Sequence, residues 1–187
     1  MYTELLMGCG HKRDKRIWIP GTPTAWQKLT TLDHDRYCKP DLLCDLHQIP
    51  WAVLSGSGDP FEAHVPEQIQ DESFNEVHAY EVLEHLGRQG HVESFFATFN
   101  EIGRILKVGG YLAATVPSRY SPWLWGDPGH ARVILPQSLV FLSRANYDAQ
   151  IGNTSMSDYR DLLLTDWEPI RSEDDKTLHR FILKKKS

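Results

Sequence analysis

The stretch LLMGCGHKRD, residues 5–14, decides the fold because it reads as a buried strand that ends in a glycine turn. Three apolar residues precede Gly8 and Gly10, which are separated by one residue. Glycine tolerates a positive φ and has no Cβ, so a ligand can approach the backbone of such a turn closely. A G-x-G turn directly after an apolar strand therefore indicates an α/β protein with a nucleotide-type site at the end of its first strand.

Length and composition describe an ordinary globular chain. With 187 residues, of which 41% are hydrophobic and 24% charged, we expect one domain, residues 1–187. A net charge of −5 argues against a dedicated nucleic-acid binder. We expect a cytoplasmic protein without a membrane partner, because no apolar run approaches the roughly 20 residues of a span and no signal-peptide pattern is present. Three cysteines without zinc spacing, Cys9, Cys38 and Cys44, predict reduced thiols.

Strand-like runs alternate with helix-like runs along the chain, which predicts an α/β, doubly wound, mostly parallel seven-stranded sheet with helices on both faces. The predicted strands lie at residues 4–10, 29–35, 40–46, 74–83 and 110–118, and the last two form a C-terminal antiparallel hairpin at 166–175 and 177–186. Between them we predict a Pro-rich loop at 11–29, alone or with one short helix, then a short helix at 50–54 and a loop rich in Gly, Pro and Ser at 55–66.

Two segments predict helices. In residues 91–110, apolar side chains such as Phe95, Phe99 and Ile102 recur at helical spacing and would pack on the sheet. Gly109 and Gly110 would end this helix. The segment LPQSLVFLSRAN, residues 135–146, predicts a second helix with its proline in the first turn.

The order of these features resembles the class I S-adenosylmethionine-dependent methyltransferases. The resemblance is carried by MGCG (7–10), LDHD (32–35), PDLLCDLHQIPW (40–51), FNEVHAYEVLEHL (74–86) and EIGRILKVGGYLAATVPS (101–118). The later sequence WGDPGHAR, residues 125–132, is most similar to small phage- and prophage-associated members. The resemblance implies a Rossmann-like methyltransferase fold with S-adenosylmethionine as the cofactor and S-adenosylhomocysteine as the product.

The resemblance also implies roles for residues at the strand ends. Asp33, with Asp35 as the alternative, would accept hydrogen bonds from the ribose hydroxyls, and Asp45 would take the adenine amino group. Asp33 and Asp45 could instead be turn or N-cap residues at the strand ends. The implied cofactor residues are Gly8, Cys9, Gly10, Asp33, His34, Asp45, Leu46, Tyr80 and Glu81.

Two residues after the glycine turn differ from known cofactor-binding patterns and bear on which cofactor the protein binds. The family commonly has a third glycine where this chain has Lys12, and the dinucleotide fingerprint requires glycine where it has Arg13. A long arginine would spoil the close helix-to-strand packing that this glycine permits. A nicotinamide-dependent oxidoreductase is therefore disfavoured.

The loop that follows the fifth strand, SRYSPWLWGDPGHAR at 118–132, carries the candidate chemistry. We predict Tyr120, Trp123, Trp125 and Arg132 as substrate-binding residues, and His130, Asp127 and His85 as candidate proton acceptors. Alternatively, the aromatic residues anchor the loop, His130 fixes Asp127, and His85 makes a structural hydrogen bond. Asp127 and His130 are too few to define a metal site, so we predict none.

Duplex DNA is not an expected partner, since AYEVLEHL stands where adenine methyltransferases have an Asn- or Asp-Pro-Pro-aromatic motif. The predicted function is methyl transfer from S-adenosylmethionine to the N or O atom of a small molecule, nucleotide or sugar. The alternative is a non-catalytic cofactor-binding or accessory protein with the same fold. Tryptophans exposed in the loop after strand five would be compatible with a homodimer.

Overall fold

The computed structural model describes residues 1–53 and 67–187. Within them, the strands form a seven-stranded sheet and a small two-stranded sheet. The strands are β1 (Glu4–Met7), β2 (Leu29–Asp33), β3 (Leu42–Leu43), β4 (Ala52–Val53), β5 (Glu67–Gln68), β6 (Phe74–Tyr80), β7 (Leu106–Pro117), β8 (Trp167–Asp174) and β9 (Leu178–Lys185). The α-helices are α1 (Val92–Ile105), α2 (Trp123–Gly126) and α3 (Arg144–Gln150).

The large sheet has the strand order β3-β2-β1-β6-β7-β9-β8. Strands β3, β2, β1, β6 and β7 are parallel, with β1 central and paired on both sides, to β2 and to β6. Strand β9 runs antiparallel to both β7 and β8. The predicted mostly parallel, seven-stranded sheet with a C-terminal hairpin is confirmed. Because the parallel strands share one direction, their carboxyl ends meet at one edge, where ligands of such sheets bind.

Helix α1 confirms the predicted apolar stripe, with Phe96, Phe99 and Ile102 fully or almost fully buried. The predicted stop at Gly109 and Gly110 is wrong. The helix ends at Ile105, and the chain passes directly into β7, which contains both glycines. The pairing of β6 with β7 contains a β-bulge, which explains why the two glycines lie in a strand. Gly109 has a φ of +80° at this bulge and tolerates the irregular backbone.

The predicted helix at 135–146 is interrupted. Residues Pro136–Leu142 form a 3-10 helix, and α3 begins only at Arg144. Ser143 separates the two pieces in an extended conformation, and its hydroxyl caps α3 by accepting a hydrogen bond from the Asn146 N–H at 3.4 Å. A serine N-cap inside the apolar pattern thus starts a new helix. Further 3-10 turns lie at Arg36–Cys38, Leu83–His85 and Arg160–Leu162.

The segment after β3 differs from the prediction. Residues 52–53, placed in a short helix at 50–54, form β4, which pairs antiparallel with β5. The predicted loop at 55–66 lies outside the described residues.

Two apolar cores lie against the sheet. The larger core includes Phe96 of α1 and Tyr147 of α3. The smaller core packs Ile17 and Ile19 against side chains of the other face, among them Leu6. Residues 11–28 are irregular, as the Pro-rich loop predicted. The sheet is therefore covered here by an irregular segment where the sequence predicted helices on both faces.

A buried polar network lies among these strands. Lys15 Nζ is 2.7 Å from Glu76 Oε2 and 3.2 Å from Glu4 Oε1, and all three side chains are almost fully buried. His78 Nε2 donates to Glu76 Oε2 at 2.7 Å, and the Tyr80 hydroxyl donates to His78 Nδ1 at 2.6 Å. Each buried charge thus has a partner of opposite sign, which offsets the cost of removing it from water.

Within the described residues, none of the helices has the length and apolar character of a membrane span. Cys9, Cys38 and Cys44 are unpaired thiols, as their number and spacing predicted.

Candidate functional site

A cleft opens at the carboxyl ends of β1, β2, β3 and β6, with a cavity volume of about 220 Å³. Several residues predicted from separate parts of the sequence meet there. The lining residues are Gly8, Asp33, His34, Asp45, Leu46, His47, Glu81, Val82, His85 and Leu86. Six predicted cofactor residues, Gly8, Asp33, His34, Asp45, Leu46 and Glu81, therefore share one cleft with His85.

Gly8 lies in the left-handed region, at φ +55°, where the glycine turn passes the end of β6. A Cβ at this position would lie 2.4 Å from Cγ2 of Val82, so only glycine lets these two segments approach so closely. Gly10 has a similar φ of +50°, but a Cβ there would meet nothing within 4 Å. The first glycine is thus required by both conformation and packing, and the second by conformation alone.

Asp33 ends β2 and is 6% exposed. One carboxylate oxygen accepts the Gly10 N–H at 2.9 Å, and the other accepts the Asp35 N–H at 2.9 Å. The carboxylate therefore fixes the glycine turn to β2, while its remaining lone pairs are free for ligand hydroxyls. Asp35, the alternative ribose ligand, instead caps the 3-10 turn that follows by accepting the Tyr37 N–H at 2.8 Å.

Asp45 is exposed at the cleft, directly after β3. It accepts hydrogen bonds from the His47 N–H at 3.0 Å and from Gln48 Nε2 at 2.9 Å. These bonds, led by that of His47, lower the pKa of Asp45. The carboxylate is consequently ionised at neutral pH and held in one orientation, with Leu46 buried beside it.

Arg13 has a role that the sequence did not reveal. Its guanidinium donates to the carbonyl oxygens of Cys9 at 3.1 Å, Gly10 and Cys38 at 2.8 Å. This side chain ties the glycine turn to the segment after β2. Arg13, which stands where the dinucleotide fingerprint requires glycine, thus stabilises the glycine turn through these hydrogen bonds.

Glu81 follows β6 and adopts φ +59°, which is strained for a residue with a side chain. Its N–H donates to Thr115 O of β7 at 2.9 Å, which holds this conformation. Desolvation by the cleft walls raises the pKa of Glu81. A strained acidic residue that lines a cleft is typical of functional sites.

The structure does not bring Cys9, Gly10 or Tyr80 into the cleft. The Cys9 and Tyr80 side chains are buried in the smaller core. The Tyr80 hydroxyl accepts the N–H groups of Arg16 at 3.1 Å and Ile17 at 3.2 Å. The Tyr80 side chain is thus part of the smaller core and does not face the cleft.

The last residues of the loop after β7 contact Glu84 and His85, and His85 lines the cleft. The Glu84 carbonyl accepts the N–H groups of Ala131 and Arg132, each at 2.9 Å. His85 Nδ1 donates to Gly129 O at 3.0 Å. The His85 and His130 rings are consequently neighbours, with centroids 4.8 Å apart, and His130 Nε2 lies 3.7 Å from Asp127 Oδ2. The predicted proton acceptors His85, Asp127 and His130 therefore lie together.

The predicted substrate-binding residues separate into two groups. Tyr120, Trp123 and Trp125 are 67%, 66% and 74% exposed and do not line the cleft. Arg132 is 9% exposed, and its Nη2 donates to Arg88 O at 2.7 Å, with further bonds to His91 O and Ser94 Oγ at 2.8 Å. Arg132 therefore anchors the loop to the start of α1, a position that differs from the predicted contact with substrate.

Glu84 is a buried residue that the sequence did not single out. It is 1% exposed, and neither carboxylate oxygen has a hydrogen-bond partner among the residues that the structure describes. Desolvation, with repulsion from Glu81 and Asp127, raises its pKa to about 8. The only signal in the sequence was an acidic residue beside His85, which is common on exposed surfaces.

A larger cavity, of about 630 Å³, lies between α1 and residues 161–165. Its charged side chains are largely paired within the protein, since Arg104 Nη2 donates to Glu101 Oε1 at 2.7 Å. It contains none of the residues predicted for cofactor, substrate or proton transfer. The smaller cleft is the candidate site because those residues meet in it.

No protein-family model matches the sequence, and no curated protein does. Solved structures match instead, among them YcgJ from Bacillus subtilis, with a TM-score of 0.53, 10% identity and coverage of 98% of this chain and 91% of YcgJ. The chain therefore shares with YcgJ an α/β fold whose mostly parallel seven-stranded sheet has the order given above. At that identity, the likeness concerns the fold alone.

Two other matches have TM-scores below 0.5 and are too distant to carry an argument. A SAM-dependent methyltransferase from Archaeoglobus fulgidus gives a TM-score of 0.49 at 12% identity, covering 98% of this chain and 86% of that one. A putative S-adenosylmethionine-dependent methyltransferase from Listeria monocytogenes gives a TM-score of 0.44 at 12% identity. This match covers 100% of this chain and 92% of the Listeria chain.

Proposed function

We propose that the protein binds S-adenosylmethionine in the cleft at the carboxyl ends of β1, β2, β3 and β6 and transfers its methyl group. The observation that carries the proposal is the convergence of Gly8, Asp33, Asp45 and Glu81 in this cleft. These residues come from the ends of four strands, and the resemblance to class I methyltransferases assigns each of them to the cofactor.

The residues present fit the chemistry of the cofactor. The backbone at Gly8 is uncovered by any Cβ, so the methionine part can lie on it. Asp33 and Asp45 offer carboxylate oxygens to the ribose hydroxyls and to the adenine amino group. The cleft volume of about 220 Å³ is below the roughly 300 to 1,000 Å³ of typical ligand pockets, so the described walls would enclose part of the cofactor.

We propose an N or O atom of a small molecule, nucleotide or sugar as the methyl acceptor. Bound S-adenosylmethionine supplies an electrophilic methyl group, and the protein's main task is to hold the acceptor in line with it. His85 and His130 lie next to the cleft and can accept a proton from a hydroxyl or an ammonium group. The WGDPGHAR loop that supplies His130 favours the small phage-associated type.

Calorimetric titration with S-adenosylhomocysteine tests the proposal. We expect Asp45→Ala to weaken binding by about 10-fold to 100-fold, since a hydrogen bond to a charged group contributes roughly 1.5 to 3 kcal/mol. The matched control is Asp161→Ala, an exposed aspartate outside the cleft, and it should leave the affinity within about twofold.

Binding of NADH in place of S-adenosylhomocysteine, or an equal loss in both variants, would contradict the cofactor assignment. A screen with a labelled methyl donor then separates the two remaining functions. Transfer to any acceptor supports the enzyme, whereas tight binding without transfer to any member of the acceptor classes named above supports the non-catalytic cofactor-binding alternative.

A further inference from the structure

Beside the cleft, three side chains converge on one point. One ligand-type atom each from Glu84, His85 and His130 lies within 4.8 Å of the other two. In a tetrahedral zinc site with bonds of about 2.0 to 2.2 Å, ligand atoms lie about 3.3 to 3.6 Å apart. Small side-chain rotations would close the three atoms around one ion. We propose that Glu84, His85 and His130 bind one divalent transition-metal ion at the wall of the cleft.

The first independent observation is the state of Glu84. It is 1% exposed, and both its carboxylate oxygens are buried without a hydrogen-bond partner within residues 1–53 and 67–187. An unpartnered buried carboxylate is costly, and a cation beside it would remove that cost. Glu81 and Asp127 lie close enough to add negative charge to the surroundings of Glu84, which favours a cation there.

The two histidines present free nitrogens. His85 donates its Nδ1–H to Gly129 O at 3.0 Å, which leaves the lone pair of Nε2 available. Metal-bound histidines commonly donate their other N–H to a carbonyl or carboxylate in this way. His130 has an 8% exposed side chain, and its Nδ1 is buried with no hydrogen-bond partner in the described part of the chain, while Nε2 faces Asp127. Its Nδ1 is therefore free to ligate when Nε2 carries the proton.

The backbone holds these ligands in place before any metal binds. The N–H groups of Ala131 and Arg132 both donate to Glu84 O at 2.9 Å, which joins the loop after β7 to the 3-10 turn at 83–85. Arg132 anchors the same loop to the start of α1. Both segments that supply ligands are thereby fixed relative to each other, as a metal site requires.

The ligand set favours a particular class of metal. Two imidazoles and one carboxylate suit Zn²⁺, Fe²⁺, Co²⁺ and Mn²⁺, whereas Mg²⁺ and Ca²⁺ prefer oxygen ligands. Three protein ligands leave coordination positions open, as in catalytic sites. Because His85 also lines the cleft, an oxygen or nitrogen atom of a ligand in the cleft can take one of these positions.

The test is calorimetric titration of the chelator-treated chain, residues 1–187, with ZnCl₂, MnCl₂ and MgCl₂. We expect one Zn²⁺ per chain, bound more tightly than Mg²⁺. His85→Gln and His130→Gln should each weaken Zn²⁺ binding by about 100-fold, since even loss of an outer-shell partner costs roughly 10-fold to 100-fold. The control His47→Gln removes an exposed cleft histidine outside the cluster and should change the affinity by less than about twofold.

Glu84→Met provides a variant that should fold, because it removes the carboxylate without leaving an unpartnered polar atom. Circular dichroism verifies the fold of each variant, and we expect Glu84→Met to weaken Zn²⁺ binding as strongly as the histidine variants. No binding of Zn²⁺ or Mn²⁺, binding unchanged in all three variants, or Mg²⁺ bound as tightly as Zn²⁺ would overturn the proposal.

The metal site shares His85 and His130 with the proposed proton transfer, but metal binding and cofactor binding can be measured separately. S-adenosylhomocysteine binding is therefore measured on the metal-free protein as well. Failure of one titration does not affect the result of the other.

Discussion

At the scale of single residues, Gly8 and Gly10 have the same backbone conformation in different surroundings. A Cβ on Gly8 would lie 2.4 Å from Cγ2 of Val82, a stiff β-branched side chain, whereas a Cβ on Gly10 would meet nothing within 4 Å. We expect Gly8→Ala to lower the free energy of unfolding by about 3 kcal/mol, from backbone strain plus overpacking, and to weaken S-adenosylhomocysteine binding.

Gly10→Ala is the matched control, since it carries only the strain of a positive φ, about 1 to 2 kcal/mol. Urea unfolding of both variants measures the difference. Equal losses in the two variants would mean that the contact between Gly8 and Val82 does not shape the turn.

The positions of the strand ends explain which residues of the candidate site could be predicted from the sequence. Gly8, Asp33 and Asp45 lie together at the cleft because each lies at or just after the end of a strand, and parallel strands end at one edge. Tyr80 was misplaced because the final residue of β6 points to the opposite face. Glu84 was missed because its burial depends on a loop about 45 residues later in the chain, beyond any local pattern.

At the scale of elements, Arg132 joins the loop after β7 to helix α1. One guanidinium nitrogen donates to Arg88 O, His91 O and Ser94 Oγ at 2.7 to 2.8 Å, and the group lies over the Phe95 ring. Lysine cannot reproduce this planar arrangement. We expect Arg132→Lys to lower the free energy of unfolding by about 2 kcal/mol and to speed proteolysis within residues 118–132.

Arg88→Lys is the control because the Arg88 side chain is exposed and only its carbonyl takes part in the anchor. It should change the free energy of unfolding by less than about 0.5 kcal/mol. Equal protease sensitivity of the two variants would contradict the role of Arg132 as the anchor.

The ends of the helices could not be predicted from the sequence pattern alone. The apolar stripe of α1 was recognisable because its spacing is regular over the whole helix. Its end was not, since Ile105 is followed by Leu106, and the β-bulge that contains Gly109 and Gly110 arises from pairing with β6. Similarly, Ser143 divides the predicted helix at 135–146 by capping α3. Tertiary pairing and caps, rather than propensity, decided these positions.

At the scale of the whole molecule, the buried network around Glu76 links stability to pH. Burial disfavours the ionised form of Glu76, but hydrogen bonds from His78, Lys15 and Tyr2 outweigh it and lower the pKa to about 2 from an ordinary 4.5. A carboxyl whose pKa is lower in the folded state stabilises the fold above the unfolded pKa. This contribution, about 3 kcal/mol, is lost as the pH falls from about 4.5 to about 2.

Glu76→Gln therefore should reduce the free energy of unfolding by about 3 kcal/mol near neutral pH, and the difference from the wild type should vanish near pH 2. Urea unfolding across this pH range measures it. Glu168→Gln, at an exposed position on β8, should show little difference at any pH. A constant gap between Glu76→Gln and the wild type across the range would contradict the pKa of Glu76.

The central claim is that the cleft at the strand ends, rather than the larger cavity beside α1, receives the cofactor. The most direct measurement is the change in backbone amide chemical shifts when S-adenosylhomocysteine is added. The largest changes should fall at Gly8, Asp33, Asp45 and Glu81 and their neighbours. Changes centred on α1 and residues 161–165, or none at saturating ligand, would contradict the account.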